Sequence, residues 1–200
     1  METLQEIISH YQSKEYSKET FNQFYPKGRL TRIKLEQVDK KALQYFENKS
    51  KLFVSSEDYK KNNFLKLFRI NIENTESFVA TQMKMYHNDE AEHLTYLFER
   101  NGNETIGHGE IRFNPISPKL YFKDKPFIGW TSTERNFQNQ GFGENRVYAF
   151  NALSHMIHGL SLHSDTLHCS KNQTKIWEKL ERKNEATRYL ENGHNRWHFN

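Results

Sequence analysis

Cysteine is almost absent from this chain of 200 residues, in which Cys169 stands alone. A single cysteine excludes an internal disulfide framework, so the composition favours a reducing, cytoplasmic setting. No apolar run approaches the roughly 18 residues that a transmembrane helix needs. The first residues, 1–6, lack the basic and then apolar pattern of a secretory signal peptide. We therefore expect no membrane segment.

The chain also lacks a dense basic block, although it is basic overall. Its 29 Lys and Arg residues outnumber 25 Asp and Glu residues, and the isoelectric point is about 9.0. This balance favours an anionic ligand, either a phosphorylated cofactor or a nucleic acid. Because the basic residues are spread along the sequence, a tail that binds nucleic acid is not expected.

Internal repeats and low-complexity segments are absent too, and the length suits one domain with an extension. Apolar residues at helical spacing predict a short helix over residues 2–13. Residues 14–28 are polar with scattered aromatic side chains, and we interpret them as a linker. The chain is thus divided into an N-terminal helical extension, residues 1–28, and a main domain, residues 29–200.

Strand-forming runs dominate the first part of the main domain, and helical patterns alternate with strands in the second. Gly102 and Gly193, each beside asparagine, indicate two hairpin turns. This order of elements predicts a mixed α/β or α+β domain, with one central sheet flanked by helices. We predict strands at 30–35, 64–72, 78–86, 94–98, 106–113, 120–122, 127–133 and 164–170, and helices at 38–46, 144–158 and 175–182.

A glycine-rich turn between the strand at 127–133 and the helix at 144–158 is the most informative stretch. Gly141 and Gly143 lie where the loop becomes a helix. The first N–H groups of a helix have no intrahelical partner, and the helix dipole adds partial positive charge there. Such a turn suits a phosphate or pyrophosphate. The alternative is that the glycines serve only a tight turn.

Two well-known phosphate-binding turns do not fit this stretch. A Walker A loop ends in Gly-Lys-Ser/Thr, whereas this turn runs Gly-Phe-Gly-Glu. A dinucleotide fingerprint needs a third glycine where this chain has Arg146. The remaining pattern, Gln138-x-x-Gly141-x-Gly143, resembles the pyrophosphate loop Gln/Arg-x-x-Gly-x-Gly/Ala of the GNAT superfamily, the acyl-CoA-dependent N-acyltransferases.

Three further stretches are similar to that family. Ile106-Gly107 resembles the pair that follows the first hairpin turn of the family. Residues 133–143 resemble its junction of strand and pyrophosphate loop, and residues 176–180, Ile-Trp-Glu-Lys-Leu, resemble its last-helix signature Leu-Tyr-Glu-Lys-Leu. The resemblance extends from about residue 94 to residue 199, and nothing before residue 64 matches.

The resemblance implies a GNAT-like fold, with a mixed central sheet flanked by helices, and transfer of an acetyl group from acetyl-CoA to a primary amine in a ternary complex. The backbone of residues 130–133 would pair with the pantetheine arm, and the N–H groups of residues 138–144 would hold the pyrophosphate. Either Ser170 or Asn172 would replace an asparagine that contacts the cofactor arm. The implied cofactor-binding residues are Thr131, Ser132, Thr133, Gln138, Asn139, Gln140, Gly141, Phe142, Gly143, Glu144, Ser170 and Asn172.

The acid and base of the family do not carry over cleanly. Trp177 replaces the tyrosine that often acts as general acid, and Phe127 stands where histone-acetylating members have glutamate. A thiolate leaving group, with a thiol pKa of about 8.5, needs little acid assistance. Glu110 and Glu134 are the candidate bases, and the alternative for each is a solvated surface charge.

Histidine and cysteine give weaker signals. Four histidines between residues 155 and 168 invite a zinc site, but without a tight Cys/His cluster we expect no metal. We interpret Cys169 as a small buried hydrophobe, His194 and His198 as surface residues, and Asp165 as structural. The four histidines are His155, His158, His163 and His168.

Two other functions stay open at this point. The missing tyrosine and glutamate allow a GNAT-like domain that binds acyl-CoA without catalysis. The basic charge and aromatic strands allow, less favourably, a module that binds nucleic acid by stacking. The amine acceptor of an active enzyme would be a protein, a small molecule or an aminoacyl-tRNA.

Overall fold

The computed structural model describes residues 4–26, 30–34, 63–72, 75–85, 91–115, 125–164 and 169–200. A short 3-10 helix, Arg135–Phe137, lies between the last strand of the main sheet and the longest helix. The helices are α1 (Leu4–Ser13), α2 (Lys18–Phe24), α3 (Phe142–His158) and α4 (Lys171–Arg182). The strands are β1 (Leu30–Lys34), β2 (Asn63–Ile72), β3 (Thr75–Met85), β4 (Ala91–Asn101), β5 (Glu104–Phe113), β6 (Phe127–Thr133), β7 (Ala186–Glu191) and β8 (His194–Phe199).

The first six strands form one antiparallel sheet in chain order, from β1 to β6. Strands β7 and β8 form a separate hairpin. His163 joins the two, because it forms a parallel bridge with Phe127 of β6 and an antiparallel bridge with His198 of β8. The predicted class, a mixed α/β domain with one central sheet and helices, is confirmed. The six strands of the sheet are antiparallel rather than mixed, and the parallel contact described is the bridge between Phe127 and His163.

The two faces of the sheet differ in what they carry. Alternate residues of a strand point to opposite faces, and Leu97 and Ile111 share one buried cluster with the helices. We call this the helix face. The opposite, or far, face carries a second cluster that includes Leu94 and Tyr96. Tyr96 of β4 is the cross-strand partner of Glu110 of β5, so the Glu110 side chain also lies on the far face.

Glycines on β5 let α3 approach the helix face closely. A Cβ atom on Gly109 would lie 2.9 Å from Cζ of Phe150, and one on Gly107 would lie 2.0 Å from a guanidinium nitrogen of Arg146. Any larger side chain at these positions would force α3 away from the sheet. The sequence Gly107-His-Gly109 therefore sets the position of the helix that follows the glycine turn.

The N-terminal helices belong to the main core. Ile7, Tyr11 and Phe21 are buried in the same cluster as the sheet and α3. Residues 14–28 were predicted as a linker, and this prediction is wrong because α2 lies within them. The Ser17 hydroxyl caps α2 by accepting a hydrogen bond from the Thr20 N–H at 3.2 Å.

Most other predicted elements are confirmed within a few residues, and both Asn-Gly hairpins form as expected. The strand predicted at 164–170 is wrong where it can be tested: strand pairing is found at His163, and residues 169–170 have no strand structure. The predicted helix at 38–46, the predicted strand at 120–122 and residues 165–168 lie outside the described residues. Across the described part of the chain, no helix has the length and apolar character needed to cross a membrane.

Candidate functional site

Strand β6 presents an outer edge that is paired only at its start in the described part of the chain. The Ile128 N–H donates to the His163 carbonyl at 3.2 Å, and the His163 N–H donates to the Pro126 carbonyl at 2.8 Å. Farther along, the Glu134 N–H donates to Ile106 of β5. Hydrogen bonds alternate in direction along an antiparallel strand, so the main-chain groups of Thr131 and Thr133 point away from β5.

A β-bulge bends β6 in the middle of this edge. Trp130 pairs with Glu110 and Ile128 pairs with Ile111, so Gly129 is one extra residue on β6. A bulge increases the local twist and redirects the strand. A Cβ atom at Gly129 would lie 2.7 Å from a Glu110 carboxylate oxygen, so a larger residue would displace the Glu110 and Arg112 side chains.

Side chains of the turn after β6 fix its conformation by hydrogen bonding to its own main chain. The Gln138 amide donates to the Thr133 carbonyl at 3.1 Å, and the Gln140 amide donates to the Asn136 carbonyl at 2.8 Å. Asn139 and Gly141 have positive φ angles of 61° and 87°, which is the left-handed region that asparagine and glycine tolerate best. Both residues are exposed.

Helix α3 begins without a side-chain cap. Its N-cap is Gly141, and the first intrahelical bond runs from the Asn145 N–H to the Gly141 carbonyl at 3.0 Å. The N–H groups of Phe142 and Gly143 have no acceptor among the described residues. These N–H groups and the helix dipole make the start of α3 a site where an anion is stabilised.

Glu144 lies in the first turn of α3, and its carboxylate is turned toward α4. It accepts hydrogen bonds from Lys179 at 2.5 Å and Lys183 at 2.9 Å. Burial raises the pKa of Glu144, but the two lysines outweigh this effect and bring the pKa to about 2. Two ammonium groups against one carboxylate leave the neighbourhood of the turn positive.

Arg146 fixes α3 to β6 from inside the core. Its guanidinium forms a 2.6 Å ion pair with Glu99, and both side chains are buried. The same group donates to the Ser132 carbonyl and to the hydroxyls of Thr131 and Thr133 at 2.8–3.0 Å. The threonine side chains are therefore engaged in the core, while their main-chain groups face the open edge.

The two residues proposed at the start of α4 have different environments. The Ser170 hydroxyl is the N-cap of α4 and accepts from the Gln173 N–H at 3.2 Å. Asn172 is exposed and lies one helical turn before Ile176. Since a Cβ atom on Gly143 would lie 3.4 Å from Cδ1 of Ile176, this face of α4 adjoins the start of α3. The Asn172 side chain can therefore contact a ligand there, whereas the Ser170 hydroxyl already caps α4.

The two candidate bases lie in opposite environments. Glu110 is 1% exposed, and Arg112 donates to its carboxylate at 2.6 Å. Burial raises the pKa of Glu110, and Arg112 acts against this shift. The expectation of a surface charge is therefore wrong for Glu110. Glu134 is exposed, as a solvated charge would be.

The described histidines among those named from the sequence, His155, His158 and His163, belong to no metal site in the part of the chain that the structure describes. Among the described residues, no group of three or more His, Cys, Asp and Glu side chains has metal-binding geometry. His155 stacks on Phe24 at 3.5 Å between ring centroids, and His158 bonds through Nδ1 to the Tyr11 hydroxyl at 3.0 Å. His194 is exposed. His168 and Asp165 lie outside the described residues.

Sequence reasoning missed a pair of groups beside the start of the β6 edge. Nδ1 of His163 lies 3.0 Å from the Tyr189 hydroxyl, and the His163 and His198 rings are 5.4 Å apart. Both members of the pair are half-buried. The signal in the sequence was weak, because Tyr189 follows His163 by 26 residues and belongs to the terminal hairpin.

Comparison with known proteins adds no assignment to this geometry. No protein-family model, no curated protein and no solved structure matches the chain.

Proposed function

We propose that the chain is an N-acetyltransferase of the GNAT type, which transfers an acetyl group from acetyl-CoA to a primary amine by direct attack. One observation carries the proposal: two main-chain surfaces are continuous. The outward edge of β6 at Thr131 and Thr133 adjoins the start of α3, since a Cβ atom on Gly143 would lie 3.8 Å from the Thr133 hydroxyl oxygen, and the N–H groups of Phe142 and Gly143 continue from there.

The diphosphate, the pantetheine arm and the thioester of acetyl-CoA each have a matching group in this surface. The diphosphate accepts hydrogen bonds from the N–H groups at the start of α3, where the dipole and the lysines near Glu144 favour negative charge. The amide groups of the pantetheine arm pair with the β6 edge in the manner of an added strand. The thioester then lies near Gly129, where the edge closes against His163.

The chemistry needs a free amine and a stabilised oxyanion. A lysine-like amine has a pKa of about 10.4, so at neutral pH a base must take a proton from it. An outward N–H group of β6, such as that of Thr131, is positioned to stabilise the oxyanion. Glu110 is enclosed by Arg112, and Glu134 lies at the far end of β6 from the bulge, so neither is the favoured base.

A domain that binds acyl-CoA without catalysis is the second candidate, and one observation favours it. Trp177, which replaces the tyrosine of the family signature, is fully buried and packs edge-to-face on Phe199 at 5.3 Å. Trp177 therefore packs in the core here, and it has no acidic proton that it could donate to the CoA thiolate.

Binding is tested first, by titration calorimetry with acetyl-CoA and with S-acetylpantetheine, which lacks the diphosphate. We expect acetyl-CoA to bind at least tenfold more tightly.

Asn139→Asp places a carboxylate in the turn. At about 7 Å from a diphosphate in a solvent-exposed site, this charge should weaken the binding of acetyl-CoA roughly fivefold. Asn192→Asp is the matched control, because Asn192 is also exposed with a positive φ angle of 51° but lies in the β7–β8 hairpin.

Turnover is tested next, by measuring release of the CoA thiol with a mixture of primary amines. Thiol release that depends on both acetyl-CoA and amine supports the enzyme. Tight acetyl-CoA binding without amine-dependent release selects the non-catalytic domain. If acetyl-CoA fails to bind at millimolar concentration, or if the Asn139 and Asn192 variants behave alike, the cofactor site proposed here is refuted.

A further inference from the structure

A row of cross-strand partners, with Arg112 at one end and two histidines at the other, crosses the far face of the sheet at the closed end of the β6 edge. The cross-strand partners in this row are Arg112, Phe127, His163 and His198. Side chains of directly paired residues lie on the same face and adjoin one another. His163 is the member that closes the edge, since its main chain bonds to both Pro126 and Ile128.

We infer that His163 is the general base of the proposed acetyl transfer and that Tyr189 positions it. The inference rests on the proposed function, because it names a group that acts at the same thioester. Gly129 lies two residues beyond Phe127, about 7 Å along β6. An imidazole on the adjacent strand reaches an amine at that point directly or across one water molecule.

Tyr189 holds the imidazole in a usable form. When Nδ1–H of His163 donates to the Tyr189 oxygen at 3.0 Å, Nε2 carries a free lone pair. Burial, together with the positive charge of Lys125 and with His198, lowers the pKa of His163 to about 4, so the imidazole is neutral at physiological pH. Lys125 also lies over the Tyr189 ring at 5.3 Å and forms a 3.6 Å ion pair with Glu191.

The protons and bonds balance without another reactant. The amine first loses its ammonium proton to water, and its nitrogen then attacks the thioester carbon, so an N–C bond forms and the C–S bond breaks. One amine proton passes to Nε2 of His163, and CoA leaves as a thiolate. The imidazolium, with its low pKa, returns this proton to the thiolate, whose thiol pKa is near 8.5. The products are the amide and free CoA.

The test compares His163→Ala with His198→Ala, which removes the neighbouring imidazole from the same row. We expect His163→Ala to lower kcat by at least a hundredfold with an unchanged calorimetric Kd for acetyl-CoA. Added imidazole should restore part of that rate in the His163 variant only. Tyr189→Phe, which keeps the ring, should lower kcat about tenfold and leave Kd unchanged.

Failure of this inference is separable from failure of the proposed function. If the wild-type protein binds and turns over acetyl-CoA but His163→Ala keeps its rate, or loses it without rescue by imidazole, His163 is not the base. A hundredfold loss in Glu110→Gln with a near-normal His163 variant would instead assign the proton transfer to Glu110. If the wild-type protein does not bind acetyl-CoA, both proposals are overturned together.

Discussion

Arg146 shows how a single residue connects the glycine turn to the core. In the sequence it marks only a missing third glycine, but the structure gives it the position of a buried anchor between α3 and β6. Gly107, one strand away, leaves the space that the guanidinium fills. Burial raises the pKa of Glu99, and the charge of Arg146 acts against this shift.

Replacing Arg146 with methionine should destabilise the protein strongly, because it leaves the Glu99 carboxylate buried without a partner. Loss of one member of a buried ion pair costs about 3–5 kcal/mol. Urea unfolding followed by circular dichroism gives the free energy of unfolding for wild type and Arg146→Met. The double variant Glu99→Gln/Arg146→Met removes both charges and should recover a large part of the loss. Equal destabilisation of the single and double variants would show that the ion pair is not the cause.

Residue roles could be predicted from the sequence only where the chemistry is local. The exposed glycine turn followed from Gly141 and Gly143, since their effect depends on the backbone of the turn itself. The enclosure of Glu110 could not be predicted. It depends on a hydrogen bond from Arg112, two residues along the same strand, and on the bulge at Gly129 of the neighbouring strand. The pairing of His163 with Tyr189 was missed for the same reason, because the two residues meet only through the packing of the terminal hairpin.

At the scale of elements, short-range signals decided which predictions held. The Asn-Gly hairpins formed as predicted because positive φ angles at Asn192 and Gly193 match the twist of the strands. Helix α2 was missed because it has only seven residues, and its helical spacing is too short to stand out from a polar stretch. Its cap at Ser17 was the one local signal available.

The start of α4 gives a prediction that separates structure from binding. Ser170→Ala removes a helix cap and should cost about 1 kcal/mol in the free energy of unfolding without changing the acetyl-CoA Kd. Asn172→Ala should keep the stability, because alanine is a good helix former at an exposed site, and should weaken acetyl-CoA several-fold. Urea unfolding and calorimetry on both variants check this. The opposite pattern would make Ser170 the ligand contact.

At the scale of the whole molecule, α1 packs against segments that are far from it in the sequence. Tyr11 of α1 packs on His93 of β4, with 4.0 Å between ring centroids, and bonds to His158 at the end of α3. His93 and His158 are themselves 4.9 Å apart. The sequence predicted the class of fold and the helix over residues 2–13, but it did not predict that β4 and the end of α3 are the partners of this helix. Such contacts between distant segments have no local pattern that could be recognised in advance.

Stability should therefore fall in mild acid. His93 is fully buried, and burial, with a contribution from Lys14, lowers its pKa to about 3. The pKa of His158 is also lowered, mainly by burial and to a smaller extent by the charges of His93 and Lys14. In the unfolded chain the histidine has a pKa of about 6.5, so it binds a proton below that pH, whereas the buried histidine of the folded chain stays neutral. Stability is therefore lost as pH falls from about 6.5 toward 3.

The size of this effect follows from the linkage between proton uptake and folding. Each such histidine contributes about 1.4 kcal/mol per pH unit, so His93 alone costs about 2 kcal/mol between pH 7 and pH 5. Urea unfolding of wild type and His93→Leu at these two pH values measures the difference. Groups away from His93 cancel in the comparison, whereas the difference includes the change that the loss of His93 makes to the pKa of His158. Leucine removes two ring nitrogens that have no hydrogen-bond partner among the described residues, so the variant should fold at neutral pH. An identical loss of stability in both proteins would mean that His93 takes up its proton in the folded state, and α1 would then have to tolerate a charged ring beneath Tyr11.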